Sequence, residues 1–399
     1  MGGRIEICNG AMLLLASGRP GPEVSHVTIN QVLTLSPCAS DRIDEPCQRQ
    51  VDMTAARFCA NLHPERREVC LLQNAASREH QRVPTSTVMT FVDPDEHTEA
   101  IRASSVRAVV TKPGQYRSEL SRVDLHRLWT QRGQVSLPTI SYGATGVGRS
   151  TIAFFEGDPQ SPTIYNGIGL TPDDIILSLS GAEYHRHSPG GYRWGSMSLS
   201  SDDLARAAGA ILGHDLAVSV ASRVIRTPPY LAARLLRLHT AAHQLARTVP
   251  DIIQHAEVAR AMEEELVRAL LGCLAEGAAL KADRFHRYRS AVMKRFEEFL
   301  EANEDKPLHV TEITEAIGVS GRTLRLHCLE RLGISPYRYL YLRRMHLVRR
   351  QLRLAEPGMT SVTSVATDHG FWELGRFAVA YRRLFGETPS ATLGQPPPR

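Results

Sequence analysis

Residues Leu308 to Leu393 carry one small pattern twice, and a repeat this short demands two similar units joined by a connector. The first copy, LHVTEITEAIGVSGRTLRLHCLERLG, places Val310, Ile313 and Ile317 at helical spacing, breaks at Gly318, and opens a second helix that Ser320 caps. The second copy, SVTSVATDHGFWELGRFAVAYRRLFG, sets Val362, Val365 and Ala366 on one face and breaks at Gly370. Phe377, Tyr381 and Phe385 then follow at i, i+4 and i+8. Ala316 and Ala366 are the small residues that a steep helix crossing calls for. Gly318 and Gly370 stand where the chain reverses, at a backbone angle that a β-carbon resists. Each copy predicts helix, turn, helix.

Between the copies, PYRYLYLRRMHLVRRQLRLAEPG predicts one helix from Pro336 to Leu354, ended by Pro357 and Gly358. Such a helix spans roughly 25 to 30 Å, near the distance of about 34 Å between successive major grooves on one face of DNA. From Ser320 onward there are thirteen Arg, no Lys and five acids, a net of +8 against +5 for the whole chain, which leaves −3 on residues 1–319. Basic helices are commonly only solvated faces. On a doubled helix-turn-helix they suit DNA phosphates, through counterion release.

The stretch Leu308 to Leu393 resembles the DNA-binding domain of the AraC/XylS-type bacterial transcription regulators. The matching residues are Ser320, Arg322-Thr323-Leu324, Gly333, Ser335-Pro336, Tyr339-Leu340, Arg343-Arg344, Val365-Ala366, Gly370-Phe371, Phe377, Tyr381, Phe385-Gly386 and Pro389. Cys328 departs from the pattern, since many members place a Phe there to pack the first recognition helix. The resemblance implies an all-α C-terminal domain, 302–399, with two helix-turn-helix units that bind double-stranded DNA. Base-reading residues are expected on the exposed N-terminal parts of the two recognition helices: Gly321, Arg322, Arg325 and Leu326, then Trp372, Glu373, Gly375 and Arg376. Arg322 or Arg376 suits bidentate pairing with a guanine. Arg343, Arg344, Arg382 and Arg383 are expected on phosphates. The resemblance further implies a cytoplasmic, nucleoid-associated homodimer that works with RNA polymerase.

The rest of the chain divides by character. Residues 1–85 hold Cys8, Cys38, Cys47, Cys59 and Cys70 among scattered Pro and Gly. They read as a poorly structured extension, or as a start assigned too far upstream, with Met89 or Met53 the true beginning. A short helix is expected around Thr54 to Asn61. DNA-repair methyltransferases also join a zinc-bound Cys site to such a DNA-binding domain, but zinc favours closely spaced pairs, and here only Cys59 and His63 are four apart. Ala11 to Gly18 faintly imitates a signal peptide with too short a core. No apolar run approaches the roughly eighteen residues of a membrane helix.

From 86 to 200 the chain is strand-like: VRAVVTK, QVSLPTISYG, STIAFFEG and DDIILSLS alternate between Gly and Pro turns, predicting a small β-barrel or sandwich. The resemblance implies a cupin-like barrel sensing a small effector, for which Tyr142, Phe154, Tyr165, Tyr184, Tyr192 and Trp194 are the candidate lining, although aromatics at strand spacing are more often plain core. In GAEYHRHSPGGYRWGS, His185 and His187 would point the same way on a strand and suit a metal. No carboxylate follows until Asp202, so they read as exposed loop histidines. GATGVG lacks the ending of a phosphate loop, no catalytic order is found, and no cofactor is expected. A metal-dependent cupin or a repair methyltransferase fused to the DNA-binding domain is the enzymatic alternative.

Residues 201–301 read as a helical linker or dimerisation region, with helices at Asp202 to Leu212, Tyr230 to Val249, Ile252 to Ala275 and Asp283 to Ala302. On the third, Ala259, Met262, Leu266 and Leu270 form an apolar face, with Glu263, Glu264 and Glu265 mostly outside. That face suits either internal packing or a dimer interface.

Overall fold

A computed structural model describes residues 5–8, 11–14, 83–156, 160–213, 222–280, 284–304, 306–356 and 358–395. Before Val83 it describes only an antiparallel hairpin, β1 (Ile5–Cys8) and β2 (Ala11–Leu14), within a unit spanning Met1–Ala75. The expected helix at Thr54 to Asn61, the start at Met53, and Cys38, Cys47, Cys59, His63 and Cys70 lie outside the described residues. Everything else belongs to a second unit, Ala76–Arg399.

That unit opens with strand β3 (Thr85–Phe91), helix α1 (Pro94–Ala100) and strand β4 (Ser104–Val110). Met89 lies inside β3, so a chain begun there would lack Thr85–Val88, which pair with Asp124–Ser121. Next come β5 (Ser118–Asp124), β6 (Trp129–Val135), β7 (Thr139–Thr145), β8 (Arg149–Glu156), β9 (Ile164–Tyr165), β10 (Ile168–Gly169) and β11 (Asp174–Ser178). QVSLPTISYG was expected as one run, but it is cut before Thr139 because Pro138 lacks the amide that continues a ladder. β12 (Glu183–Ser188) and β13 (Tyr192–Ser200) complete the antiparallel set with the short β14 (Arg223–Arg226) and β15 (Ala278–Ala279).

These strands form two sheets, not the closed barrel that was expected. One has five strands in the order β10-β9-β12-β7-β4, the other eight in the order β15-β14-β11-β8-β13-β6-β5-β3. The chain passes between the sheets at β3 and β4 through α1, so a helix stands where closure would need a ladder. The segment read as a histidine loop is strand β12 and the start of strand β13, which lie in different sheets, with Pro189, Gly190 and Gly191 between them. Its side chains alternate at period two, which is a strand signal that the glycines obscured.

Four helices follow or interrupt the strands: α2 (Ser201–Leu212), α3 (Pro229–Thr248), α4 (Ala256–Glu276) and α5 (Arg284–Ala302). The expected start of α4 at Ile252 is instead a 3-10 turn, Pro250–Gln254, seeded by Pro250. Helices α2, α3 and α4 cover one face of the eight-stranded sheet, joining Leu204, Leu235, Leu266 and Leu270 to Ile152, Phe154, Ile175 and Met197. The apolar face of α4 is therefore enclosed within the chain. Glu263 also points inward, accepting from the backbone amides of Arg127 (2.8 Å) and Leu128 (3.2 Å) and from Arg127 Nε (3.0 Å). Its carboxylate satisfies two amides in a strand-to-strand turn, which helical periodicity does not reveal.

The alternate positions of the same strands, Ala153, Phe155, Ile176 and Trp194, face the five-stranded sheet. The far side of that sheet carries Val109 and Ile140, which join the core of the C-terminal helices. His97, His239, His243 and His346 are among the buried imidazoles of these layers. Burial holds His97 and His346 down at about 4 and His239 at about 3, and it pushes His243 well below the usual value. The unfolded imidazoles take up a proton near their ordinary pKa of about 6.5, so between there and the folded values the unfolded chain binds more protons. Stability therefore falls as pH drops through that window. The thermal midpoint should decrease steadily from about pH 7.5 to about pH 5; a flat profile over this range would show that these groups titrate alike in both states.

Candidate nucleic-acid interface

The first repeat folds as α6 (Val310–Ile317) and α7 (Gly321–Leu332). Ile313 and Ile317 are its buried anchors. Gly318 closes α6 at φ +69°, and Ser320 caps α7 by accepting from the Thr323 amide (3.1 Å). Ala316 was expected at the helix crossing, but it is exposed. It lies outside the face set by those two isoleucines, and half-buried Thr314 closes its hydroxyl on the Thr311 carbonyl instead. Cys328 is fully buried, and α5 brings Val292, Met293, Phe296 and Leu300 into the same cluster. That helix supplies apolar bulk to the cluster that holds Cys328.

The connector α8 (Pro336–Leu354) starts on a Ser335 cap and has the extent expected from the sequence. The second repeat is α9 (Val362–Asp368) and α10 (Leu374–Phe385), followed by the short α11 (Pro389–Leu393). Ser361 caps α9 and Gly370 turns the chain at φ +77°. Ala366 is fully buried, and the rings of Phe377, Tyr381 and Phe385 meet in sequence at tilted and edge-on angles, with centroids 5.6 and 4.7 Å apart.

All eight candidate base-reading residues are exposed: Gly321, Arg322, Arg325 and Leu326 on α7, and Trp372, Glu373, Gly375 and Arg376 around the start of α10. Trp372 is 74% exposed, a bare aromatic surface with no internal packing to account for it. Arg376 pairs with Glu373 at 2.8 Å, an exposed contact too weak to immobilise either side chain.

The four candidate phosphate residues separate into two kinds. Arg382 and Arg383 are exposed on the last turn of α10. Arg343 instead turns inward to Glu304 (3.1 Å) with a side chain 12% exposed, and Arg344 lies over the Phe371 ring at 5.3 Å. Two further connector arginines are also drawn inward: Arg349 and Arg353 both pair with the buried Asp93 at the cap of α1, with Glu387 and Glu96 as additional partners. Burial alone would raise the Asp93 carboxyl, but the two guanidiniums and the capping amides outweigh it, and the net shift is downward.

The helix-turn-helix region is thus docked on the five-stranded sheet. His346 on α8 accepts from the Val110 amide at 3.0 Å. His185 is not an exposed loop residue. It is buried on β12, 3.2 Å from Glu297 on α5, whose same oxygen accepts from Tyr339 on α8 at 3.0 Å. His187 lies against Gly333, the left-handed residue that ends α7, where a β-carbon would collide with the imidazole. Nothing at sequence level marks these contacts, because their partners are far apart along the chain.

The candidate effector aromatics also separate. Tyr165, Tyr184 and Trp194 line a cavity between the sheets. Tyr192 is buried beside it, its hydroxyl accepting from Arg186 at 2.7 Å. Phe154 points the other way, edge-on to His239 at 4.9 Å in the core under α3. Tyr142 faces the helix-turn-helix side, 5.0 Å from the His185 ring. Period two along β7 and β8 sends these last two to the outer faces of the sheets. Among the described residues no cluster of three or more His, Cys, Asp and Glu is arranged to hold a metal ion, and no helix is long and apolar enough to cross a membrane.

Residues 313–395 match the family described as a helix-turn-helix domain. The chain is 33% identical over 129 residues to a probable thc operon regulatory protein of Rhodococcus erythropolis, covering 30% of this chain and 39% of that protein. It is 36% identical over 100 residues to a XylDLEGF operon transcriptional activator of Pseudomonas putida, covering 25% of this chain and 64% of the relative. The chain thus spans less than two thirds of either relative. Among solved structures it is similar to the AraC-like transcriptional activator CuxR (13% identity, 66% of this chain and 94% of that one, TM-score 0.35). It is also similar to ToxT from Vibrio cholerae (10% identity, 78% and 98%, TM-score 0.24).

Because α5 already fills the space around Cys328, restoring the aromatic should overpack it. Cys328→Phe is expected to cost about 1 to 3 kcal/mol, read as a lowered midpoint in chemical denaturation. An unchanged or raised midpoint would reveal room beside the first recognition helix.

Proposed function

We propose that this chain, whose residues 313–395 form a helix-turn-helix domain of the AraC/XylS type, is a sequence-specific DNA-binding transcription regulator governed by a small effector. The observation that carries this reading is the exposure of all eight candidate base-reading residues at the starts of two separate recognition helices, while Leu324, Cys328 and Leu332 of the first and Phe377, Tyr381 and Leu384 of the second are built into the core. Nineteen residues of α8 connect the units, a rise of about 28 Å, compatible with two successive major grooves. Arg322 and Arg376 read bases in this account, and Arg382 and Arg383 hold phosphates. Arg343 and Arg344 act from inside, positioning α8 against Glu304 and Phe371.

The domain division proposed is an extension to 85, a β-rich sensor at 86–200, a helical region at 201–301 and the DNA-binding domain at 302–399. The two-sheet region takes the place that a cupin-like barrel would hold in such a regulator. Transcription regulation implies RNA polymerase as a partner and the cytoplasm as the place of action. A homodimer, if formed, requires a surface other than Ala259, Leu266 and Leu270, which are closed off inside one chain.

The test is a selection from random duplex DNA with the full-length protein at two salt concentrations. Two short enriched blocks about one helical turn apart are expected; binding that fades with salt and enriches nothing would overturn the reading. On the selected site, Arg376→Ala should relax preference at one base position, a loss of roughly 1 to 3 kcal/mol of discrimination. Arg382→Ala should weaken all sequences alike. Equal losses on matched and mismatched sites for Arg376→Ala would refute that division of roles.

A further inference from the structure

We propose that the cavity between the two sheets binds a small carboxylate on the guanidinium of Arg186, and that strand β12 carries the event to the helix-turn-helix region. The proposal rests on the regulator reading and names the ligand class of its sensor. Arg186 sits in the middle of β12, lines the cavity and is only 8% exposed. Among the described residues it has no carboxylate partner. One terminal nitrogen donates to Ser141 Oγ (2.9 Å) and to the Tyr192 hydroxyl (2.7 Å), and the group lies over the rings of Phe155 (5.1 Å) and Tyr192 (4.8 Å). Its Nε is buried without an acceptor.

Neutral acceptors and ring faces offset only part of the cost of burying a full positive charge. Buried charges are normally paired, and the planar fork of arginine matches the two oxygens of a carboxylate. The other walls include Tyr165, Tyr184, Trp194 and Ile176, with Gln131, Ser196 and Arg102, which is itself paired with Asp124, among the polar groups. The free volume is about 50 Å³. One water needs roughly 10 to 15 Å³ of such space, so a molecule of about four heavy atoms fits, the size of acetate.

Transmission follows from strand geometry. Since neighbouring side chains on β12 point to opposite faces, a group that draws Arg186 inward acts on His185 and His187 from behind. His185 is tied through Glu297 to Tyr339 on α8, and His187 abuts Gly333 at the end of the first recognition helix. At Gly333 a β-carbon has no room, so a displacement of β12 is passed on to α7 instead of being absorbed.

Sodium acetate is titrated into the full-length protein, with acetamide and sodium phosphate as comparators at matched ionic strength, and followed by thermal unfolding and ligand-observed NMR. Acetate should raise the midpoint and bind, whereas acetamide and phosphate should do neither. Arg186→Gln should weaken acetate binding at least about tenfold. Because removing a buried charge can itself unfold the chain, Ala153→Leu provides a second variant that fills the cavity from the opposite sheet with Arg186 intact; it too should lose acetate. No acetate binding, equal effects of acetamide or phosphate, or wild-type acetate binding in both variants would overturn the site. Acetate should also change affinity for the selected DNA, and His187→Ala should bind acetate yet lose that change; retention of the change would overturn transmission through β12. A protein that selects a DNA site but ignores acetate sinks this proposal alone, and one that binds acetate but selects no DNA sinks the regulator reading alone.

Discussion

The five-stranded sheet is buried on both faces, and the arrangement of the molecule depends on that constraint. Its inner face meets the eight-stranded sheet, and its outer face supplies Val109 and Ile140 to the helix-turn-helix core. A sheet placed so must send successive residues into two different chemical settings. Strand β12 shows the result, with Arg186 in the inter-sheet cavity and His185 and His187 against the DNA-binding helices. Any change in one setting is one residue away from the other.

The polar contacts on that outer face are of two kinds, exposed pairs such as Arg107 with Glu304 and Lys294 with Glu183, and a few that are deeply buried. Asp93 with Arg349 and Arg353, and His185 with Glu297 and Tyr339, are desolvated groups whose attraction is largely spent in leaving water. Apolar packing supplies most of the free energy of docking. The charged groups act on register: a shifted arrangement would leave a buried carboxylate or guanidinium without its partner, which costs far more than the pair contributes.

The same economy changes the meaning of the basic charge. Thirteen arginines follow Ser320, and counted along the chain they all suit phosphate. In the fold, Arg343, Arg349 and Arg353 pair with acids on other elements, and Arg344 lies on an aromatic ring. The guanidiniums left at the surface near the recognition helices are fewer, and Arg322, Arg325, Arg376, Arg382 and Arg383 are among them. Net charge counted along the chain overstated how much of that charge is free.

Local elements were legible from residue order wherever the signal lies within a few residues. Helix α8 ends where its periodicity ends, Ser320 caps the helix it precedes, and the exposed starts of the recognition helices follow from which positions the apolar face uses. These are short-range consequences of helix geometry and capping, and they require no knowledge of the fold. Ala316, the buried His185 of β12 and Glu263 escaped because each depends on a neighbour from a distant segment. The same holds for Arg186 left without an acid in a cavity, and for the junction of Asp93 with α8. A buried charge and its partner carry no shared periodicity along the chain; only the packing of sheet on sheet and helix on sheet decides which residues meet.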